Sequence, residues 1–202
     1  MTLPREYFDR MYAADPDPWG FTERWYERRK YALTLAALPR ERYARALELG
    51  CSIGVLTAEL GRRCDTLLAL DVSDDAVAAA RQRTADLPHV EARRTTVPQE
   101  WPEGRFDLVV LSEVAYYFTA DDLAELLDRI ADALEPGGCL LAVHWRHPVA
   151  DYPLGGDEVH AALDRSPAWE ATVRHVETDF LLTVYLRTPP EPRSVAQESG
   201  LA

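Results

Sequence analysis

Short apolar runs alternate with helix-like segments from residue 45 to about residue 187. The strand-like runs are 46–49, 67–70, 90–96, 106–111, 139–143, 169–177 and 180–187. The most apolar of these runs lack a hydrophobic–polar alternation, which is typical of strands that are buried on both faces. Because helix-like segments separate most of them, the pattern predicts an α/β fold: a doubly wound, seven-stranded and mostly parallel sheet between two layers of helices.

The segment that follows Thr119 carries the clearest helix signal. Thr119 and Asp122 resemble a capping box at its start, and the Pro-Gly-Gly sequence at 136–138 ends it. Its apolar positions form one stripe, which comprises Leu123, Leu126, Leu127, Ile130 and Leu134. Such a stripe predicts an amphipathic helix that packs on the sheet.

The last two strand-like runs and the chain ends define the domain organisation. Only two residues separate 169–177 from 180–187, and a connection this short allows only antiparallel pairing. We therefore expect an antiparallel strand at the C-terminal edge of the sheet. Residues 1–40 are rich in aromatic side chains and are expected to form a helical lid over a main domain at 41–187. Residues 188–202 contain three prolines and few apolar groups, so we expect a disordered tail.

The charge balance excludes several classes of protein. The 202 residues include 22 Lys and Arg against 34 Asp and Glu, a formal net charge of −12. Such a surface repels phosphates and anionic lipids, so neither nucleic acid nor a membrane is an expected partner. No apolar run reaches the ~18 residues of a membrane span, and the first residues lack the apolar stretch of a secretory signal. The three cysteines are widely spaced, so we expect a cytoplasmic protein with no disulfide framework and no metal site.

The most informative segment runs from Glu48 to Gly54, where a buried strand turns into a helix. Ligands of α/β sheets bind at such carboxyl ends of strands, and glycines let the backbone approach a ligand closely. Asp71 ends the next strand, where a carboxylate can accept both hydroxyls of a ribose. Together, the turn and Asp71 predict a nucleoside-containing cofactor.

Three chemistries compete for this turn. A dinucleotide fingerprint that starts at Gly50 needs glycines at 52 and 55, where the chain has Ser52 and Val55. The Gly-Cys-Ser-Ile-Gly sequence at 50–54 also matches the nucleophile elbow of serine hydrolases. However, that elbow normally follows several strands, and it gives Asp71 no role. S-adenosylmethionine (SAM) has no pyrophosphate and tolerates this shorter glycine pattern, so it is the favoured cofactor.

Four segments resemble, in order and spacing, the motifs of class I SAM-dependent methyltransferases. They are 47–54, 70–73, 106–114 and the Leu-Glu-Pro-Gly-Gly sequence at 134–138. The chain more narrowly resembles the NodS-like methyltransferases, through Asp17-Pro18-Trp19, Tyr26-Glu27, Lys30-Tyr31, Ser112-Glu113-Val114, Tyr116-Tyr117 and 143–146. The rhizobial founder of that family N-methylates a chitooligosaccharide signal precursor. The resemblance implies a Rossmann-like fold and SAM as the cofactor.

The resemblance and the chemistry together assign the cofactor residues. Glu48, Gly50, Cys51, Ser52 and Gly54 belong to the turn that is expected to hold the methionine and ribose parts. Asp71 is expected to bind the ribose, and the candidates for the adenine contacts are Val72, Thr96 and Val97. Ser112, Glu113 and Val114 are expected to face both cofactor and acceptor. Trp19 and Arg29 are expected to close over the methionine end, with Arg29 on its carboxylate. The alternatives are simple packing for Trp19 and, for the basic stretch 28–30, a solvated helix face.

The candidates for acceptor binding or proton removal are Glu113, Tyr117, His144 and His147. An amine must be neutral when it attacks, and His144 is the natural base if one is needed. The alternative for both histidines, His144 and His147, is a purely structural role. Glu113 is better suited to bind a cationic or hydroxyl-bearing acceptor.

The sequence therefore predicts a SAM-dependent methyltransferase that N-methylates a small amine or an amino-sugar acceptor, as a monomer or weak homodimer. The alternatives are an O-methyltransferase of a secondary metabolite and a SAM-binding partner protein without catalysis.

Overall fold

The computed structural model describes residues 1–201 and contains one seven-stranded sheet. The strands are β1 (Tyr43–Leu49), β2 (Cys64–Asp71), β3 (Val90–Arg94), β4 (Phe106–Ser112), β5 (Leu134–Trp145), β6 (Trp169–Val176) and β7 (Phe180–Arg187). Their order is β3-β2-β1-β4-β5-β7-β6, and the first five are mutually parallel. The predicted fold class is confirmed. The antiparallel strand is β7, which lies between β5 and the edge strand β6. The short connection between β6 and β7 makes these two strands a hairpin.

The helices are α1 (Arg5–Ala14), α2 (Trp25–Ala37), α3 (Val55–Gly61), α4 (Asp74–Arg83), α5 (Ala120–Ala133), α6 (Gly156–Arg165) and α7 (Val195–Glu198). Thr119 caps α5 by accepting a hydrogen bond from the backbone N–H of Asp122 at 3.3 Å. The predicted apolar stripe of α5 is buried from Leu123 to Ile130. Leu134, which the pattern placed on this stripe, is instead the first residue of β5.

Both faces of the sheet are buried, as the continuous apolar runs predict. Alternate residues of β4 point to opposite sides because side chains of a strand have a period of two. Val109 and Leu111 join the apolar cluster that contains α5, and Leu108 and Val110 join the cluster on the opposite face. The two clusters cover both faces of the parallel strands, whose ends are left to carry a site.

The N-terminal segment packs over the carboxyl ends of the strands. The backbone N–H of Leu3 donates to the carbonyl of Tyr117 at 2.9 Å, and the hydroxyl of Tyr12 lies 2.6 Å from the Ser52 hydroxyl. No helix within residues 1–201 is long and apolar enough to cross a membrane.

The tail predicted to be disordered contains the four-residue helix α7. Its formation is explained by Ser194, whose hydroxyl accepts from the backbone N–H of Gln197 at 3.2 Å in a capping box. Ala202 lies outside the described residues.

Candidate active site

A cavity of about 480 Å³ lies where the N-terminal segment meets the carboxyl ends of the parallel strands. The predicted site residues that line it are Trp19, Glu48, Gly50, Cys51, Ser52, Asp71, Val72, Thr96, Val97, Ser112, Glu113, Val114 and Tyr117. Arg29, Gly54, His144 and His147 do not line it. The cavity therefore unites residues from the ends of β1, β2, β3 and β4 with side chains from α1 and α2.

The turn after β1 is fixed by its neighbours. The backbone N–H groups of Gly50 and Cys51 both donate to the carbonyl of Leu70 at 2.8 Å. Gly50 has a φ of 75°, and a Cβ there would lie 2.8 Å from a methyl carbon of Val114. A side chain at this position would clash with Val114, so only glycine fits. Without a side chain, the backbone of Gly50 lines the cavity directly.

Asp71 ties this turn to the end of β2. One carboxylate oxygen accepts from the backbone N–H of Ser52 at 2.8 Å, and the other accepts from Ser73 at 3.0 Å. Burial raises the pKa of Asp71, although these backbone hydrogen bonds oppose the shift. The carboxylate remains on the cavity wall, where its free lone pairs suit the hydroxyls of a ribose.

Glu48 is a second buried carboxyl group at this end. Its Oε2 has no hydrogen-bond partner among residues 1–201, and burial raises the pKa of Glu48 to about 8. The Thr57 hydroxyl opposes this pKa shift, and the Glu48 residue itself lines the cavity, where its carboxyl group can meet a ligand. Glu48, the Gly50 turn and Asp71 therefore fit a ligand with hydroxyl and amino groups.

Gly54 has a different role from the predicted one. Its φ is 79°, and a Cβ at this position would lie 2.8 Å from the Cα of Ala80. Gly54 therefore allows the start of α3 to approach α4 closely, and it does not line the cavity.

Another part of the cavity wall is organised around Glu113, which has a φ of 57°. Its Oε1 accepts from the ammonium of Lys30 at 3.1 Å. Its Oε2 accepts from the Tyr116 hydroxyl at 2.5 Å and from the backbone N–H of Trp145 at 3.2 Å. Three donors from three elements therefore hold this carboxylate on the cavity wall.

Lys30 also contacts Glu27, whose carboxylate lies 2.9 Å from the ammonium. Burial disfavours the charge on Lys30, but Glu113 and Glu27 outweigh this effect and raise its pKa. Burial raises the pKa of Glu27, and Lys30 opposes that shift. We call Glu27, Lys30 and Glu113 the buried charge cluster; when all three are ionised it carries one net negative charge.

Aromatic rings form the wall beside this cluster. The rings of Tyr116 and Tyr152 stack with centroids 4.9 Å apart, and Tyr117 packs edge-on to Tyr152 at 4.8 Å. Trp145 lies beside Tyr26 from α2, with centroids 5.6 Å apart. Flat apolar surfaces next to a carboxylate suit an organic acceptor with one polar or cationic group.

Trp19 also lines the cavity, and its ring stacks on Phe21 with centroids 5.6 Å apart. Its ring also contacts Tyr12 edge-on at 5.7 Å, and Tyr12 bonds to Ser52. Trp19 therefore packs among neighbouring rings and also faces the cavity, and its closure over the methionine part stays a prediction.

The predicted role of His144 as a base is corrected by its position. His144 is fully buried, and its Nε2 accepts from the backbone N–H of Ala115 at 3.3 Å. Its Nδ1 therefore carries the proton and donates to Nε2 of His160 at 3.2 Å, and His160 in turn donates to Thr183. Burial holds the pKa of His144 well below its usual value, so the ring is neutral and structural.

His147 and Arg29 are held away from the cavity by acidic residues near the β6–β7 turn. Nε2 of His147 lies 2.7 Å from Asp179, and Arg29 makes a two-pronged pair with Glu177 at 2.8 and 2.7 Å. His147 was predicted to meet the acceptor and Arg29 to bind the methionine carboxylate. In the structure, Asp179 and Glu177 bind these two side chains instead. Both predictions are therefore corrected.

Lys30 was missed by sequence reasoning. It lies in the stretch 28–30, which was interpreted as a solvated face, yet it is only 2% exposed. The signal that could have found it is helical spacing: Glu27 and Lys30 are one turn apart on the same face of α2.

Comparisons with known proteins agree with this geometry. A family model described as a methyltransferase domain matches residues 47–140. Nodulation protein S of Rhizobium tropici is 34% identical over 140 residues, which cover 67% of this chain and 58% of that protein. A candidate methyltransferase structure from Pseudomonas syringae is 49% identical with a TM-score of 0.73, covering 81% of this chain and 100% of that one.

The structure of N-methyltransferase NodS from Bradyrhizobium japonicum WM9 in complex with S-adenosyl-L-homocysteine (SAH) has a TM-score of 0.83. It is 27% identical and covers 93% of this chain and 98% of that one. The fold and the cofactor end of the cavity thus define a class I SAM-dependent methyltransferase. The chain belongs to the NodS-like methyltransferase family, so the predicted family and cofactor are confirmed. The matches span 58%, 59% and 54% of the curated Nodulation protein S relatives.

Proposed function

We propose that this chain transfers a methyl group from SAM to the nitrogen of a small amine acceptor, including an amino sugar. The observation that carries this proposal is the contrast between Glu113 and the histidines. Glu113 faces the cavity with an organised carboxylate, whereas no histidine among residues 1–201 lines the cavity. The site therefore offers negative charge but no imidazole base.

At the cofactor end, Asp71 would accept the ribose hydroxyls, and Glu48 would accept from an amino or hydroxyl group. Val72, Thr96 and Val97 would contact the adenine, and Trp19 would cover the methionine part. When bound, SAM supplies a methyl group attached to a positively charged sulfonium. The residues Gly50 to Ser52 would position that group by close backbone approach.

At the acceptor end, a neutral amine needs no base before it attacks. Its lone pair forms the N–C bond as the C–S bond breaks, and positive charge grows on the nitrogen. The carboxylate of Glu113 would stabilise that charge, and the methylammonium product later loses its proton to water. An alcohol would instead need a base to remove its proton, a function that the buried His144 does not offer.

The aromatic wall supports an acceptor with a flat or ring-shaped body. Tyr116, Tyr117 and Tyr152 present rings next to Glu113, and sugar rings pack well on such faces. The NodS relative is an N-methyltransferase by name, which agrees with the acceptor atom proposed here. A reducing, cytoplasmic setting is also part of the proposal, since Cys51, Cys64 and Cys139 are free and buried.

The test is a panel of amines, amino sugars and hydroxyl compounds with SAM, for the wild type and Glu113→Gln. We expect turnover of amines, and a decrease in kcat on the order of 10²-fold in the variant, because it loses the carboxylate charge. SAH affinity, measured by calorimetry, should change little. Glu125→Gln, on an exposed face of α5, is the matched control.

Two results would contradict the proposal. Methylation of hydroxyl compounds alone would identify an O-methyltransferase. Tight SAH binding with no product from any acceptor would identify a non-catalytic SAM-binding protein.

A further inference from the structure

The buried charge cluster contains two carboxylates for one ammonium, and its members come from two separate parts of the chain that line the cavity. Glu27 and Lys30 lie on α2, whereas Glu113 follows β4. The side chain of Lys30 is only 3% exposed, and that of Glu113 is 14% exposed. Within the cluster, Glu113 is therefore the member most open to the cavity.

The ammonium of Lys30 has well-defined surroundings. It lies 2.9 Å from Glu27, 3.1 Å from Glu113 and 5.1 Å from the ring centroid of Tyr26. A flexible lysine chain is costly to order, but two carboxylates and an aromatic face leave it one favourable position. Glu27 thus fixes Lys30, and Lys30 fixes one oxygen of Glu113.

The remaining oxygen of Glu113 is fixed from the sheet side. Tyr116 and the backbone of Trp145 both donate to it. With both oxygens held, the carboxylate plane has one orientation toward the cavity. Catalysis by a fixed charge depends on such preorganisation, and small misplacements of a group are costly.

We propose that Lys30, held by Glu27, is a positioning residue that orients Glu113 toward the amine acceptor. This inference rests on the proposed function. It adds that α2, the second helix of the N-terminal segment, supplies part of the acceptor end and does not merely cover it. In this role Lys30 fixes the position of the Glu113 carboxylate, and the ionised cluster still carries one net negative charge.

Charge and geometry are separated by two variants. Lys30→Met removes the fixing contact and leaves the Glu27 and Glu113 carboxyl groups without a cation. Lys30→Met with Glu27→Gln removes the contact but keeps the wild-type net charge, because only Glu113 remains ionised. Arg29→Met is the matched control, since Arg29 is the neighbouring cation on α2 and lies outside the cavity.

The measurements are kcat and KM for an amine acceptor, SAH affinity, and amine binding to the protein–SAH complex by calorimetry. We expect kcat to fall on the order of 10²-fold in the single and double variants, with a smaller change in KM. We also expect weaker amine binding, and SAH affinity within about threefold of the wild type, because Lys30 acts at the acceptor end.

The double variant also protects against a folding failure, because it leaves no second carboxylate buried without its cation. Wild-type kcat in the double variant would overturn the positioning role and show that only net charge matters. Loss of SAH affinity equal to the loss of kcat would show that Lys30 serves the whole cavity. A wild type that methylates no amine would refute the proposed function itself.

Discussion

The cofactor end of the cavity is built from neighbouring strand ends, whereas the acceptor end is built across the chain. The hydrogen bond that fixes the cofactor turn joins Ser52 to Asp71, 19 residues apart. The ion pair at the acceptor end joins Lys30 to Glu113, 83 residues apart. The sheet topology therefore positions the Gly50 turn and Asp71, to which the N-terminal segment adds Tyr12 and Trp19. The second end exists only after the N-terminal helices have packed on the sheet.

The two ends also differ in how they handle buried charge. At the acceptor end, the ammonium of Lys30 pairs with the carboxylates of Glu27 and Glu113 inside the protein. At the cofactor end, burial favours the protonated form of Glu48, Asp71 bonds only backbone groups, and no basic side chain among residues 1–201 bonds either carboxyl group. Such a site should lower the free energy of unfolding of the ligand-free protein.

The largest predicted effect concerns Glu48 and pH. The pKa of Glu48 is about 8 in the folded chain against an ordinary value of 4.5, so folding favours its protonated form. Without ligand, stability should therefore fall as pH rises between these values, by up to about 1.4 kcal/mol per pH unit for this group. Glu48→Gln carries no such penalty and should gain relative stability toward pH 8. Denaturant unfolding at pH 5 and pH 8 measures this; equal pH slopes for both proteins would contradict it.

Asp71→Ala tests the cofactor end directly. The variant loses the ribose acceptor and the bonds that hold the turn, so SAH binding should weaken by on the order of 2 kcal/mol or more. Calorimetry with SAH gives the value. Asp75→Ala, an exposed neighbour on α4, should bind SAH normally. Unchanged affinity in Asp71→Ala would remove Asp71 from the site.

The same contrast explains which parts were predictable from the sequence. The turn at Gly50 and the acid at Asp71 follow directly from strand ends, because parallel strands bring their carboxyl ends to one edge. Lys30 could not be recognised in this way, since a basic stretch on a helix usually faces solvent. Its burial depends on where α2 packs on the sheet, and the one local signal is the one-turn spacing of Glu27 and Lys30, which is also common on exposed helix faces.

The histidine predictions failed for a related reason. β5 is buried on both faces, so the pattern around His144 does not show which side faces the cavity. In the fold, His144 points toward α6, where His160 supplies a partner that lies 16 residues further along the chain. Arg29 was misassigned because its partner Glu177 is 148 residues away.

His144→Gln separates a base from a structural residue. The change should leave the backbone N–H of Ala115 or His160 poorly bonded and cost about 1–2 kcal/mol of unfolding free energy. Because His144 does not touch the cavity, the pH dependence of amine methylation should keep its shape. If the folded variant lost an ionisation from that pH profile, His144 would be shown to take part in the reaction as a base.

Arg29→Ala has the smallest expected effect and tests how sharply the cavity ends. Arg29 lies only one position from the buried Lys30, yet its guanidinium is committed to Glu177 outside the cavity. Exposed ion pairs contribute little, and removing this one should leave SAH affinity within about twofold, as for other surface changes. A tenfold loss would mean that Arg29 leaves Glu177 when the cofactor binds. The acceptor and cofactor ends would then share α2, and the division between local and long-range assembly would no longer hold.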